Sequence, residues 1–293
     1  MKKTLFSIAL SFLVFTSFAQ EASSSKVFQT DRPGIYYQPE DRFVFDRYID
    51  YIFDKRNLPT DQLVIETAKF FVGVPYVGYT LEIEPEGLVI DLQELDCTTF
   101  VENVFALAMT VKSRDLNFDN FCNQLRWLRY REGVINDYTD RLHYTSDWIY
   151  TNQHKGIVKD VSRRAGGERI DFNLYIMSSN TDQYKQLKGK EDLINKVKAK
   201  ESEINSRKHF FLPTDKIDIN AKRIHSGDML GFVTTIPGID ISHVGIIYKE
   251  GDKLTFIHAS STQKKVVINQ VPLTEYIKEV KKNTGIVLVR AKF

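Results

Sequence analysis

Leu95-Asp96-Cys97-Thr98-Thr99-Phe100-Val101-Glu102 decides how this chain is read. Asp96 is a helix N-cap residue type, and Phe100, Val104, Leu107, Ala108 and Val111 recur at helical spacing behind it. The stretch therefore predicts a buried helix with Cys97 in its first turn. Backbone N–H groups without partners and the positive end of the helix dipole favour a thiolate at such a position. The plainer reading is a small buried residue, which most free cysteines are.

Working outward, the next informative stretch runs from Ser242-His243-Val244-Gly245-Ile246-Ile247-Tyr248 through Gly251-Asp252 to Leu254-Thr255-Phe256-Ile257-His258-Ala259. Two β-rich runs around a Gly-Asp turn predict a hairpin. If Gly251 and Asp252 are the turn residues, Glu250 pairs with Lys253, His243 faces Ser260 and Gly245 faces His258. The imidazoles of His243 and His258 are then diagonal neighbours on one face, with Cβ atoms roughly 7 Å apart. A longer turn with a bulge would put them on opposite faces. The order cysteine, histidine, polar residue suits nucleophilic acyl transfer: Cys97 attacks, His243 moves the proton, and His258 orients His243.

With Gly73-Val74-Pro75-Tyr76 ahead of the cysteine and His258-Ala259-Ser260-Ser261 at the end of the hairpin, the chain resembles the N-acetylmuramoyl-L-alanine amidase-like proteins of Bacteroides-type bacteria. These form a branch of the NlpC-type, papain-like cysteine amidases, and the likeness extends from about Tyr76 to His258. Arg141-Leu142-His143-Tyr144-Thr145-Ser146-Asp147-Trp148-Ile149 also looks like a signature of this branch. The resemblance implies an α+β fold with a papain-like core, in which the Cys97 helix packs on an antiparallel sheet carrying His243 and His258, with helical additions. It implies cleavage of the bond between the muramic acid lactyl group and L-alanine in peptidoglycan fragments, preferably soluble 1,6-anhydromuropeptides. It places Tyr76 beside the thiolate as oxyanion support. Arg141, His143, Tyr144, Asp147 and Trp148 mix basic, aromatic and acidic groups in a way that suits sugar binding.

No metal or cofactor is expected. A thiolate and two imidazoles could ligate zinc, but no His-Glu-x-x-His motif is present and a helix-start cysteine needs no metal to explain it. Two further possibilities are an NlpC-type endopeptidase cutting within the stem peptide and a non-catalytic glycan-binding protein on the same scaffold.

Lys2 and Lys3, an apolar stretch from about Leu5 to Phe18, and Ser17-Phe18-Ala19 before Gln20 read as a secretory signal peptide cleaved near Ala19-Gln20. The expected mature protein is a periplasmic chain of residues 20–293, without a stable membrane anchor. It forms a single domain with a helical N-terminal region and an insertion around 150–225. Loss of Lys2 and Lys3 brings the formal charge from +2 to zero, which gives nothing to attract nucleic acid. Cys97 and Cys122 are the only cysteines. Cys122 shares a helical face with Phe121, Leu125 and Leu128, so it reads as core rather than half of a disulfide.

Elsewhere the sequence predicts an irregular stretch over residues 20–44. Helices are expected from Thr60 to before Gly73 and from Phe118 to Arg131, and a solvated helix between Tyr184 and Lys208. A strand is expected over Met229 to Thr235, followed by a loop carrying Asp240, for which a local structural role is the simpler reading.

Overall fold

The computed structural model describes residues 33–293, so the signal-peptide expectation lies outside the described residues. Order begins earlier than residue 44. Strand β1 (Ile35–Tyr36) pairs in parallel with β2 (Leu88–Val89), and helix α1 (Pro39–Ile52) opens on its proline. Proline's fixed φ and missing N–H suit the first helical position, so the residue that suggested a loop starts a helix. Asp41, buried in that first turn, accepts from the Gln38 N–H at 2.7 Å and from the Leu92 N–H at 2.9 Å. It thereby ties α1 to the approach to Cys97. Burial pushes its carboxyl up to about 6.

Helix α2 (Thr60–Phe70) follows, with Pro59 at the N-cap; the Thr60 hydroxyl donates to the Phe293 carbonyl at 2.6 Å. Next come α3 (Cys97–Ser113) and α4 (Phe118–Arg129). The middle of the chain contains α5 (Thr145–His154), β3 (Val158–Asp160), β4 (Glu168–Ile170), α6 (Ile176–Ser179), α7 (Glu191–Asn205), β5 (His209–Pro213) and α8 (Thr214–Ile217). α7 starts later than the lysine- and glutamate-rich composition predicts, because Gly189 adopts a left-handed φ of 71° just before it.

The last part is the sheet itself: β6 (Met229–Thr234), β7 (Ile241–Glu250), β8 (Lys253–Ser260), β9 (Lys265–Ile268), helix α9 (Leu273–Glu279) and β10 (Asn283–Ala291). Strand order is β4-β5-β10-β6-β7-β8-β9, with β3 also on β10, and every neighbouring pair in this sheet is antiparallel. The 150–225 stretch, expected as an insertion, thus contributes β3, β4 and β5 to one side of the sheet.

Two-residue alternation along the strands sorts their side chains onto two faces. Val233, Val244, Ile246, Ile257 and Ala259 belong to one core with Phe100, Val104, Leu107 and Ala108 of α3. Leu230, Phe232, Ile247, Phe256 and Leu288 belong to a second core with Leu273 and Ile277 of α9. Helices therefore cover both faces, and each buried Leu, Ile or Phe contributes about 1.5–3 kcal/mol against chain entropy. α3 is held along almost its whole length, which fixes the position of its first residue.

Candidate active site

Asp96 caps α3: its Oδ1 accepts the Thr99 N–H at 2.7 Å, and the Thr99 hydroxyl accepts the Asp96 N–H at 2.9 Å. Such a reciprocal cap is worth about 1 kcal/mol and sets the register of the first turn. Cys97 is the first helical residue, and the Val244 N–H from β7 is directed at its sulfur. Neither Cys97 nor Cys122 is in a disulfide.

The hairpin has the two-residue turn register. Glu250 pairs with Lys253 and the ladder runs to Ile246 opposite Ile257. The two imidazoles meet, with His243 Nε2 2.7 Å from His258 Nδ1 and the rings nearly perpendicular at 86°. Gly245 lies between them for want of space: a Cβ there would sit 2.9 Å from the Ile257 carbonyl oxygen and 3.2 Å from His258 Cβ.

Burial dominates the electrostatics. It pushes the Cys97 thiol up to about 12, with the Asp96 carboxylate adding to the rise. Burial also draws His243 down to about 4 and His258 down to about 3, the latter helped by the neighbouring His243. This works against the thiolate that the helix start favours. A helix dipole supplies roughly 0.3–2 kcal/mol, and the loss of water around a buried anion exceeds it. Burial thus favours the neutral thiol and the neutral imidazoles in the free site. His258 is 2% exposed, and its Nε2 is buried without a hydrogen-bond partner among the described residues.

Tyr76 comes to the site along the free edge of β9. The Gly73 N–H donates to the Val266 carbonyl, the Val266 N–H to Val74 and the Tyr76 N–H to Lys264, all between 2.8 and 2.9 Å. On its other side Val77 donates to the Leu95 carbonyl at 3.2 Å. The Tyr76 hydroxyl is held protonated by burial and by its nearness to Cys97 and Asp96.

The stretch from Arg141 to Trp148 is placed differently from the sugar-facing surface that its composition suggested. Trp148 is 3% exposed and donates its indole N–H to Glu102 Oε1 at 3.2 Å. Asp147 accepts from Arg131 at 2.6 Å and from Arg207 at 2.7 Å. The Tyr144 hydroxyl donates to Glu201 at 2.7 Å, and His143 Nε2 lies 2.8 Å from the Tyr138 carbonyl. Arg141 reaches Glu82 at 2.9 Å and Glu86 at 3.2 Å. Charged and aromatic groups crowd together here because they satisfy one another in the interior. The stretch is a largely buried polar junction, joined to the site through two contacts. Arg141 pins the loop that follows Tyr76, and the Ser146 N–H at the start of α5 is capped by Asp240 Oδ2 at 2.7 Å. Asp240 therefore joins this junction to the root of the His243 strand.

Two tyrosines escaped the sequence reading. Tyr276 of α9 packs its ring 5.9 Å from His258 and 4.9 Å from Phe256; no motif marks it, only an aromatic on a short amphipathic helix. Tyr79, three residues past Tyr76, is 75% exposed and holds a left-handed φ of 64°. Its neighbourhood to Gly-x-Pro-Tyr was the one available signal.

The N-acetylmuramoyl-L-alanine amidase-like family matches residues 66–286. Two crystal structures of an N-acetylmuramoyl-L-alanine amidase from Bacteroides uniformis are 36% identical to this chain, with TM-scores of 0.75 and 0.77; they cover 80% of this chain and 99% of that one. A Legionella pneumophila protein with a TM-score of 0.64, at 18% identity over 87% of this chain and 94% of its own, shares the fold alone. No curated protein matches. On the family match and the identity to the Bacteroides uniformis enzyme, this chain belongs to the N-acetylmuramoyl-L-alanine amidase-like family.

Proposed function

We propose that the protein is a cysteine-dependent amidase. Its papain-like NlpC-type site cleaves the bond between the muramic acid lactyl group and L-alanine, with soluble 1,6-anhydromuropeptides as substrates. The observation that carries this reading is the pair of imidazoles on β7 and β8, in contact at 2.7 Å, with His243 next in sequence to Val244 of β7, whose backbone N–H acts on the Cys97 thiol. We also take residues 1–19 as an export signal and the periplasm as the working compartment, in keeping with a cell-wall substrate.

His243 uses Nε2 toward His258, which leaves Nδ1 as the nitrogen for the thiol. With a proton on His243 Nε2 donated to His258 Nδ1, the Nδ1 lone pair is free to take a proton, and His258 carries its own proton on Nε2. As Cys97 Sγ bonds to the lactyl carbonyl carbon, its proton passes to His243. The oxyanion is met by the Cys97 N–H at the helix start and by the Tyr76 hydroxyl. Collapse breaks the C–N bond, and imidazolium gives its proton to the alanine amine. Water then attacks the thioester, losing a proton to His243, and the acid leaves as the thiol re-forms.

Tyr79 is the group we assign to the sugar. An exposed aromatic on a loop held at Glu82 and Glu86 by Arg141, and at Glu84 by Lys190 at 2.6 Å, offers a rigid face to a pyranose ring.

Digestion of one defined anhydromuropeptide by the wild type and by Cys97→Ala tests the proposal, with products read by mass. Free disaccharide and an intact stem peptide from the wild type alone are expected. A shortened stem still joined to sugar would move the cleaved bond into the peptide, and equal cleavage by both proteins would remove the cysteine from the mechanism.

A further inference from the structure

Away from Cys97, a cavity of about 500 Å³ is lined by Val161, Arg164, Ala165, Lys222, Arg223, His225 and Arg290. It lies at another part of the sheet: Arg290 follows Val289, which pairs with Met229 at the start of β6, whereas His243 pairs further along with Phe232. We infer that this cavity is a binding site for a phosphate ester, with the phosphate held by Arg164, Lys222, Arg223 and Arg290 and the organic part resting on Val161 and Ala165.

Charge is the first reason. No carboxylate lines the cavity. Two carboxylates, Asp228 and Asp61, act on Arg290. Among the described residues no acidic group pairs with Arg164, Lys222 or Arg223. In a chain whose acids and bases nearly cancel, such segregation creates a local positive field that an anion would relieve.

Preorganisation is the second reason. Asp228, 1% exposed, grips Arg290 through two bonds, Nε to Oδ1 at 2.7 Å and Nη2 to Oδ2 at 2.8 Å. Asp228 Oδ2 also accepts the His225 N–H at 3.0 Å, which fixes the turn that presents Lys222 and Arg223. Arg290 Nη1 has no protein acceptor among the described residues and remains able to donate. A guanidinium held in this way presents a fork suited to phosphate oxygens at little entropic cost.

Shape is the third. Val161 and Ala165 are buried and give the cavity an apolar floor, which an inorganic anion cannot use. The volume falls in the range of small-molecule sites, about 300–1,000 Å³. The same chemistry is presented by a soluble sugar phosphate and by a phospholipid headgroup.

The test uses the chain of residues 20–293 and two probes: glucose 6-phosphate, with glucose as control, in titration calorimetry, and phosphatidylglycerol vesicles, with phosphatidylcholine vesicles as control, in co-sedimentation. Binding of glucose 6-phosphate or of the anionic phosphatidylglycerol vesicles is expected, with none to glucose or to the phosphatidylcholine vesicles, whose headgroup phosphate is neutralised by its own choline. Arg164→Ala with Arg223→Ala should weaken it at least about tenfold while leaving the melting temperature and muropeptide cleavage unchanged. Saturable glucose 6-phosphate binding assigns a soluble ligand; vesicle binding alone assigns a headgroup. Failure of both probes to bind the wild type, or equal binding by the double variant, overturns the inference. Cleavage is read separately, so loss of the amidase reading would leave this result standing.

Discussion

Glu102 and Arg129 meet at 2.6 Å where water does not reach, with side chains 3% and 2% exposed. Glu102 also takes the Trp148 indole N–H, and Arg129 Nη1 donates to the Val89 carbonyl at 2.7 Å. One carboxylate thus anchors the second turn of the cysteine helix to α4 and α5.

Glu102→Ala should therefore destabilise the protein by about 3–5 kcal/mol, since it leaves the Arg129 charge buried and unpaired. Denaturant unfolding measures this. A loss under about 1 kcal/mol would show that solvent reaches Arg129.

Acid should weaken the fold through the two site histidines. An unfolded imidazole takes up a proton near 6.5, whereas burial delays this in the folded protein to about 4 for His243 and about 3 for His258. Between those values the unfolded state holds more protons, so stability is full above pH 6.5 and falls as pH drops toward 4. Melting temperatures across that window should fall more steeply for the wild type than for His243→Gln with His258→Gln. Parallel curves would mean that the rings titrate normally.

Alkylation should report a thiol that is neutral at rest. Burial holds Cys97 up at about 12, so its reaction with iodoacetamide is expected to be slow at neutral pH and to climb steadily into the alkaline range. Mass analysis against Cys97→Ala separates this from Cys122. A rate already level between pH 6 and 8 would reveal a preformed thiolate-imidazolium pair.

Tyr79→Gly separates binding from folding at one position. Glycine adopts the left-handed conformation freely, so the variant should keep its stability. Loss of the aromatic face should lower kcat/KM about tenfold, mostly through KM, and Tyr79→Phe should restore it. Unchanged kinetics in Tyr79→Gly would remove this residue from the substrate path.

The sequence made the site's skeleton legible because its rules are local. A cap residue before an apolar helical repeat located Cys97, and a two-residue turn with period-two alternation located His243 beside His258. What it could not convey depends on the three-dimensional surroundings. The protonation of Cys97 turns on how much water the folded chain removes, which no spacing records. Arg141, Asp147 and Trp148 have the composition of a ligand surface, and only their partners Glu82, Arg207 and Glu102, distant in the chain, reveal an interior junction. Pro39 could mark either a loop or a helix start. Tyr276 lies in no motif, and only the fold brings its ring near His258.

The backbone bonds that hold residues 73–76 against β9 have a further consequence. β9 is the terminal strand of the sheet and would otherwise offer unpaired N–H and C=O groups to another chain. The segment that delivers Tyr76 is also the seal on that border. It cannot swing away as a flap without baring a sticky margin, so self-association and catalytic disorder are a single hazard in this molecule, suppressed by the same short piece of chain.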